Sequence, residues 1–224
     1  FPARGKRGGR VMFFPNPVLL FLKGALIGFS IAAPVGPIGV LCIRRTLTHG
    51  MLNGLVSGLG AATADGCYGV IAAAGLTSLS SLLVDNQLML KLAGGVFLFY
   101  LGIRTLLAGP AVTDQKEKIP ESRKLFKAYS STFVLTITNP MTIISFTAIF
   151  AGLGIGSSAG SMGDAMVMVG GVFSGSAGWW LILGSIFGFV RTRMDQGMMV
   201  WVNRFSGVVI SAFGVLAIIS LDMM

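Results

Sequence analysis

The sequence predicts an all-α polytopic membrane protein: six transmembrane helices arranged as two inverted three-helix repeats, with helices one and four broken. Three observations lead there. Of the 224 residues 54% are apolar and only 11% charged, and mean hydropathy is +0.82, whereas a soluble domain carries about 25% charged residues. A water-exposed globule of this composition would present large apolar patches and aggregate, which excludes a soluble enzyme, a nucleic-acid-binding domain and a disordered scaffold. The apolar residues also run in long continuous stretches rather than short alternating ones, which favours spanning helices over a membrane barrel. Finally, a polar connection divides the chain into two halves, and the first apolar run of each half contains a proline break.

Residues 1–17 form a basic, glycine-rich tail, within which Met12 is a candidate start and residues 1–11 candidate non-native sequence. The run that follows has features of a cleaved leader ending near Ala32-Ala33. Lys23 interrupts it, however, Pro34 would follow the cut, and the apolar stretch continues to Ile43, so it reads as a retained first span. A span needs about 20 apolar residues. Six stretches qualify: about Val18–Ile43, Leu52–Leu76, Gln87–Leu107, Ala128–Leu153, Asp164–Val190 and Phe205–Leu221. Residues 18–107 make the first repeat and 128–224 the second. Between them, 108–127 holds Asp114, Lys116, Glu117, Lys118, Glu121, Arg123, Lys124 and Lys127, punctuated by Pro110 and Pro120, and reads as a solvated linker.

The formal net charge of +9 would hint at nucleic acid in a soluble protein. Here the cations sit between apolar runs and read as orientation signals, so no nucleic-acid partner is expected. Eleven Lys and Arg residues, Arg44, Arg45, Arg104, Lys116, Lys118, Arg123, Lys124, Lys127, Arg191, Arg193 and Arg204, fall beside the loops after spans one, three and five. That side should be cytoplasmic and both termini outside; Arg44 and Arg45 then read as interface anchors. Cys42 and Cys67 lie in apolar runs without CxxC spacing, and His49 sits alone in a short loop, so neither a disulfide nor a metal site is expected. No paired carboxylate, His/Cys cluster, nucleophile elbow or phosphate loop is present, which argues against an enzyme and calls for no cofactor.

An odd number of spans per half sets the halves upside down relative to one another. Lys91-Leu-Ala-Gly94 near the start of span three resembles Arg204-Phe-Ser-Gly207 near the start of span six, 113 residues on, and glycines recur at Gly102 and Gly214. Inverted repeats with interrupted helices mark many transporters. The first break is Ala33-Pro34-Val35-Gly36-Pro37-Ile38-Gly39. Two prolines around a glycine remove backbone donors and clash with the preceding turn. The helix should stop near Ala33 and restart with Pro37 in its first turn. The amides of Ile38 and Gly39 would then face the gap, where a helix start suits a carboxylate. The second break is Thr136-Ile137-Thr138-Asn139-Pro140, with Asn139 as N-cap and Pro140 at the first helical position. Hydroxyls of Thr136 and Thr138 can bond freed carbonyls or a ligand. A tolerated proline kink is the competing reading at both places.

Asp65 lies mid-span in Gly58-Leu-Gly60-Ala-Ala-Thr63-Ala-Asp65-Gly66. A charge there costs about 2.5–3.5 kcal/mol on insertion scales, so it marks a site that binds an ammonium, relays a proton, or both, unless it is a hydrogen-bonded structural aspartate. Small residues at four-residue spacing (Gly50, Gly54, Gly58, Ala62 and Gly66, and the pairs Gly24/Gly28, Gly171/Gly175 and Gly184/Gly188) predict close helix crossings. Trp179 and Trp180 sit mid-span, filling the bundle or lining a cavity.

The run from Gly24 to Gly75, with Ala33-Pro34-Val35-Gly36-Pro37, the glycine-spaced second span and Asp65 within it, resembles the LysE-type translocators, an amino-acid exporter family that includes threonine and homoserine exporters. Asn139-Pro140 is similar too, and the six-span layout matches from about Met12 on. Thr63-Ala64 departs from the family, where a glycine more often directly precedes the aspartate. The resemblance implies export of amino acids or close derivatives through the bacterial inner membrane, coupled to protons or another ion. It marks Pro34, Gly36, Pro37, Asp65, Asn139 and Pro140. On this reading the partners are an amino acid or similar small polar solute, the coupling ion and the lipid bilayer; the oligomeric state, a homodimer included, stays open. Competing readings are a transporter of another solute, such as a metal ion, and a non-transporting membrane component.

Overall fold

The computed structural model describes residues 16–73, 86–108, 121–139, 142–143, 145–146 and 162–219. Among them are seven bounded helices, α1 (Pro17–Ala32), α2 (Pro37–His49), α3 (Met51–Ala73), α4 (Gln87–Leu106), α5 (Glu121–Ile137), α6 (Met162–Arg191) and α7 (Gln196–Ile219), and residues 142–143 and 145–146 are helical as well.

Local chemistry sets several of the ends. Val18 N–H donates to Asn16 Oδ1 (2.9 Å) at the start of α1, with Pro17 in the first turn. Expected span one is two helices bent by 83°. α1 ends at Ala32, Gly36 caps α2, and Pro37 opens it, so the break falls where the prolines predict. α2 runs on to His49, beyond the expected Ile43, and turns into α3 at Gly50, whose φ of +98° is a left-handed conformation that glycine adopts without strain. α5 starts at Glu121, seven residues before the expected span, and α7 starts at Gln196, nine before it. In α7 the reason is a cap: Met198 N–H donates to Asp195 Oδ1 (2.7 Å), so the helix begins in polar sequence ahead of the apolar run.

Among the described residues three helices are long and apolar enough to cross a membrane alone, Leu88–Leu106, Gly163–Arg191 and Gln196–Ile219, and the bent α1–α2 pair would make four. The sequence leads one to expect six. α3 has the length, at 23 residues, but its glycines, Asn53, Ser57, Thr63 and Asp65 dilute its hydropathy. α5 stops at the second break, and the rest of that expected span, to Leu153, lies largely outside the described residues.

Small residues govern the packing. α1 runs parallel to α6, with a Cβ on Gly24, Gly28, Gly171 or Gly175 colliding with backbone of the facing helix: Met168, Val172, Phe21 and Ala25, respectively. α3 runs parallel to α5, with Gly60 against the Tyr129 carbonyl and Tyr129 Oη donating to Thr63 Oγ1 (2.9 Å). α3 also crosses α6 in the opposite direction, Gly58 against Trp180 and Gly66 against Phe173. α4 and α7 are antiparallel, with Gly102 against Ser211 and Gly214 against Phe99. Lipid offers no hydrophobic drive between helices, so such backbone-close contacts supply the association. The buried core lies along these seams, with Ile27, Tyr68, Met168 and Val172 in one cluster and Ala61, Ala62, Trp180 and Leu183 in another. A third, of Leu41, Leu135 and Ile210, ties α7 to α2 and α5.

Candidate functional site

At the first break the backbone turns on itself: Gly36 N–H donates to the Pro34 carbonyl (2.9 Å). Pro37 has no N–H, and the first helical bond of α2 runs from Val40 N–H to the Gly36 carbonyl (3.0 Å). The N–H groups of Ile38 and Gly39 precede that bond, as the leading amides of a helix must. At the second break, Asn139 N–H still bonds the Thr136 carbonyl (3.1 Å), while the Asn139 carbonyl accepts from Thr142 (3.1 Å) and Ile143 (3.2 Å). One helix ends and another begins at Asn139, the N-cap position read from the sequence. Tyr68 Oη donates to the Ile137 carbonyl, so α3 satisfies one of the carbonyls freed there.

Asp65 projects from α3 between the two breaks and is 3% exposed. Ser176 Oγ on α6 donates to Asp65 Oδ2 (2.7 Å), and Trp180 Nε1, one turn on, donates to Ser176 Oγ (3.2 Å). A chain of two donors thus fixes one carboxyl oxygen, while the residue also lines a cavity of about 70 Å³. Of the residues singled out in the sequence, Pro34, Gly36, Pro37, Ile38, Gly39, Asp65 and Asn139 all line this cavity. Thr138 does not: its Oγ1 donates back to the Val134 carbonyl (2.7 Å), and it lines a larger neighbouring cavity of about 690 Å³ instead. Pro140 lies outside the described residues. The two cavities share wall residues at both breaks, among them Pro34, Pro37, Asn139 and Thr142.

Sequence reasoning missed Ser176, Ala61 and Thr142, and it placed Trp180 only loosely. A serine four residues before a mid-span tryptophan was the available signal. It also misread Arg45. Instead of anchoring at an interface, Arg45 turns inward: Nη1 donates to Ser57 Oγ (2.9 Å), the Ala128 carbonyl (2.8 Å) and Thr132 Oγ1 (2.8 Å), and Nη2 to Ser131 Oγ (2.7 Å). It joins α2, α3 and α5 about two turns beyond the break, using neutral oxygens. Arg44 Nε donates to Asn203 Oδ1 (2.8 Å), linking α2 to α7.

Comparison with known proteins gives a consistent picture. A Bacillus subtilis (strain 168) protein carrying the name of an amino acid efflux protein, YcgF, is 28% identical over 199 residues, covering 87% of this chain and 93% of its own length. The threonine efflux protein of Escherichia coli (strain K12) is 22% identical over 211 residues, 91% and 99% of the two chains. An uncharacterized membrane protein of Synechocystis sp. is 26% identical over 129 residues, 57% and 60% of the two. No solved structure gives a significant match. The family model described as LysE type translocator matches residues 29–221, a stretch that takes in both breaks and Asp65. The chain is a multi-pass membrane protein of the LysE type translocator family.

Proposed function

We propose that this protein is a secondary active exporter of amino acids or close derivatives across the bacterial inner membrane, driven by a proton or ion gradient. The observation that carries the reading is the meeting of two helix breaks and the mid-span Asp65 around one cavity. An amino acid presents a carboxylate and an ammonium two bonds apart. The helix start at Ile38 and Gly39 suits the carboxylate, and Asp65, oriented by Ser176, takes the ammonium or a proton in turn. The relatives named for amino acid and threonine efflux support the substrate class.

Transport proceeds by alternating access, one inverted three-helix half rocking against the other. Support comes from the packing directions. Exchanging the halves turns the parallel α1–α6 pair into the parallel α5–α3 pair, and it maps the antiparallel pairs α3–α6 and α4–α7 onto themselves. The basic loops face the cytoplasm in this scheme. The test is efflux from cells preloaded with labelled dipeptides, with and without an uncoupler. Asp65→Asn should abolish gradient-driven export while leaving the protein in the membrane. Normal export by that variant would overturn the assignment.

A further inference from the structure

The site has two compartments of very different character. The inner one, about 70 Å³, holds Asp65 and the two helix breaks, room enough for little more than the charged groups around an α-carbon. The outer one, about 690 Å³, is within the usual range of ligand cavities. Its wall includes Val35, Leu98, Leu135, Phe213, Leu216 and Ala217. Its polar groups are neutral: Thr138, Thr142 and Ser145 hydroxyls and Asn139. No ionisable side chain lines it among the described residues.

We infer that the outer compartment receives the side chain of the transported amino acid, and that the preferred substrates carry neutral, apolar side chains of the size of leucine, methionine or phenylalanine. This rests on the exporter reading above. Adjacency gives the argument its direction: a head group held at Asp65 lies against the break residues, and those same residues line the outer compartment, so a side chain directed past them enters it. A lysine or glutamate side chain entering it would lose its hydration without meeting an opposite charge, whereas each added methylene in an apolar pocket improves discrimination about tenfold or more.

The experiment uses the same preloaded cells with alanine-containing dipeptides of leucine, methionine, phenylalanine, alanine, lysine and glutamate. The expected result is leucine, methionine and phenylalanine export at least ten times faster than lysine or glutamate export, all of it dependent on Asp65. Ser145 lies in the outer wall and outside the inner one. Ser145→Phe should lower the leucine-to-alanine export ratio about tenfold, and Ser145→Asp should raise the lysine-to-leucine ratio by a similar factor. Lysine or glutamate leaving as fast as leucine through an Asp65-dependent route would overturn this inference while sparing the exporter reading. So would an equal fall of leucine and alanine in Ser145→Phe. Export of every amino acid at the same rate in cells with and without the protein would instead overturn the exporter reading itself.

Discussion

Gly28→Ala is the sharpest test of the packing. A Cβ on Gly28 would stand 2.7 Å from the carbonyl carbon of Val172 and 2.9 Å from its Cα, and closer still to its oxygen. Carbon pairs rest at about 3.5–4.0 Å, so α1 and α6 must part by ~1 Å at this crossing, and a gap of that size forfeits roughly a quarter to a half of each contact's dispersion energy. Overpacking of this kind costs about 1–3 kcal/mol. For a chain of this length that corresponds to a fall in Tm of roughly 2–12 °C. The comparison is Gly170→Ala on the same α6, where a Cβ meets nothing within 4 Å. That variant should be neutral or gain up to about 1 kcal/mol of helix propensity. Thermal unfolding of both purified variants in one detergent decides the matter. Gly28→Ala melting with the wild type, or Gly170→Ala falling as far as Gly28→Ala, would refute the reasoning.

Two more predictions bear on the site and its surroundings. Arg45→Met should insert and fold but melt earlier, by about 1–3 kcal/mol of lost charge-assisted bonding; the loss stays bounded because Ser57, Ser131 and Thr132 keep their own donor bonds to Asn53, Lys127 and Ala128 carbonyls. A melting curve unchanged from wild type would refute a net contribution from the guanidinium. Gly36→Leu should fold like the wild type, because its φ of −95° and ψ of −165° are open to any residue and a Cβ there meets nothing within 4 Å. It should nonetheless cut export at least tenfold by filling the cavity, and parallel melting and efflux measurements would expose either error.

What could be read from the sequence follows from how local each cause is. Pro34 and Pro37 act on their own backbone, through a missing donor and a fixed φ, so the stop at Ala32 and the restart at Pro37 were legible before any tertiary contact was known. Asp65 stood out because a carboxyl in an apolar run is costly, and its burial beside the two breaks is what the structure adds. The rows Gly24/Gly28 and Gly171/Gly175 announced a close crossing, though not that they would face each other. Ser176 was hidden because its meaning depends on the rotation of α6 about its axis relative to α3, which only packing fixes. Arg45 was hidden for a similar reason: a cation near a helix end can reach outward or turn inward, and its acceptors Ala128, Ser131 and Thr132 lie more than 80 residues away. The early start of α5 was obscured by polar residues, Glu121 to Lys127, that fit a solvated helix end as well as a linker.

The interleaved glycines of α1 and α6 also restrict how the molecule can rearrange. With Gly24 and Gly28 lodged against one backbone and Gly171 and Gly175 against the other, neither helix can slide past its mate without mounting a carbonyl. Because α1 belongs to the first half and α6 to the second, a rearrangement of one half against the other would have to pivot on this glycine seam rather than shear it.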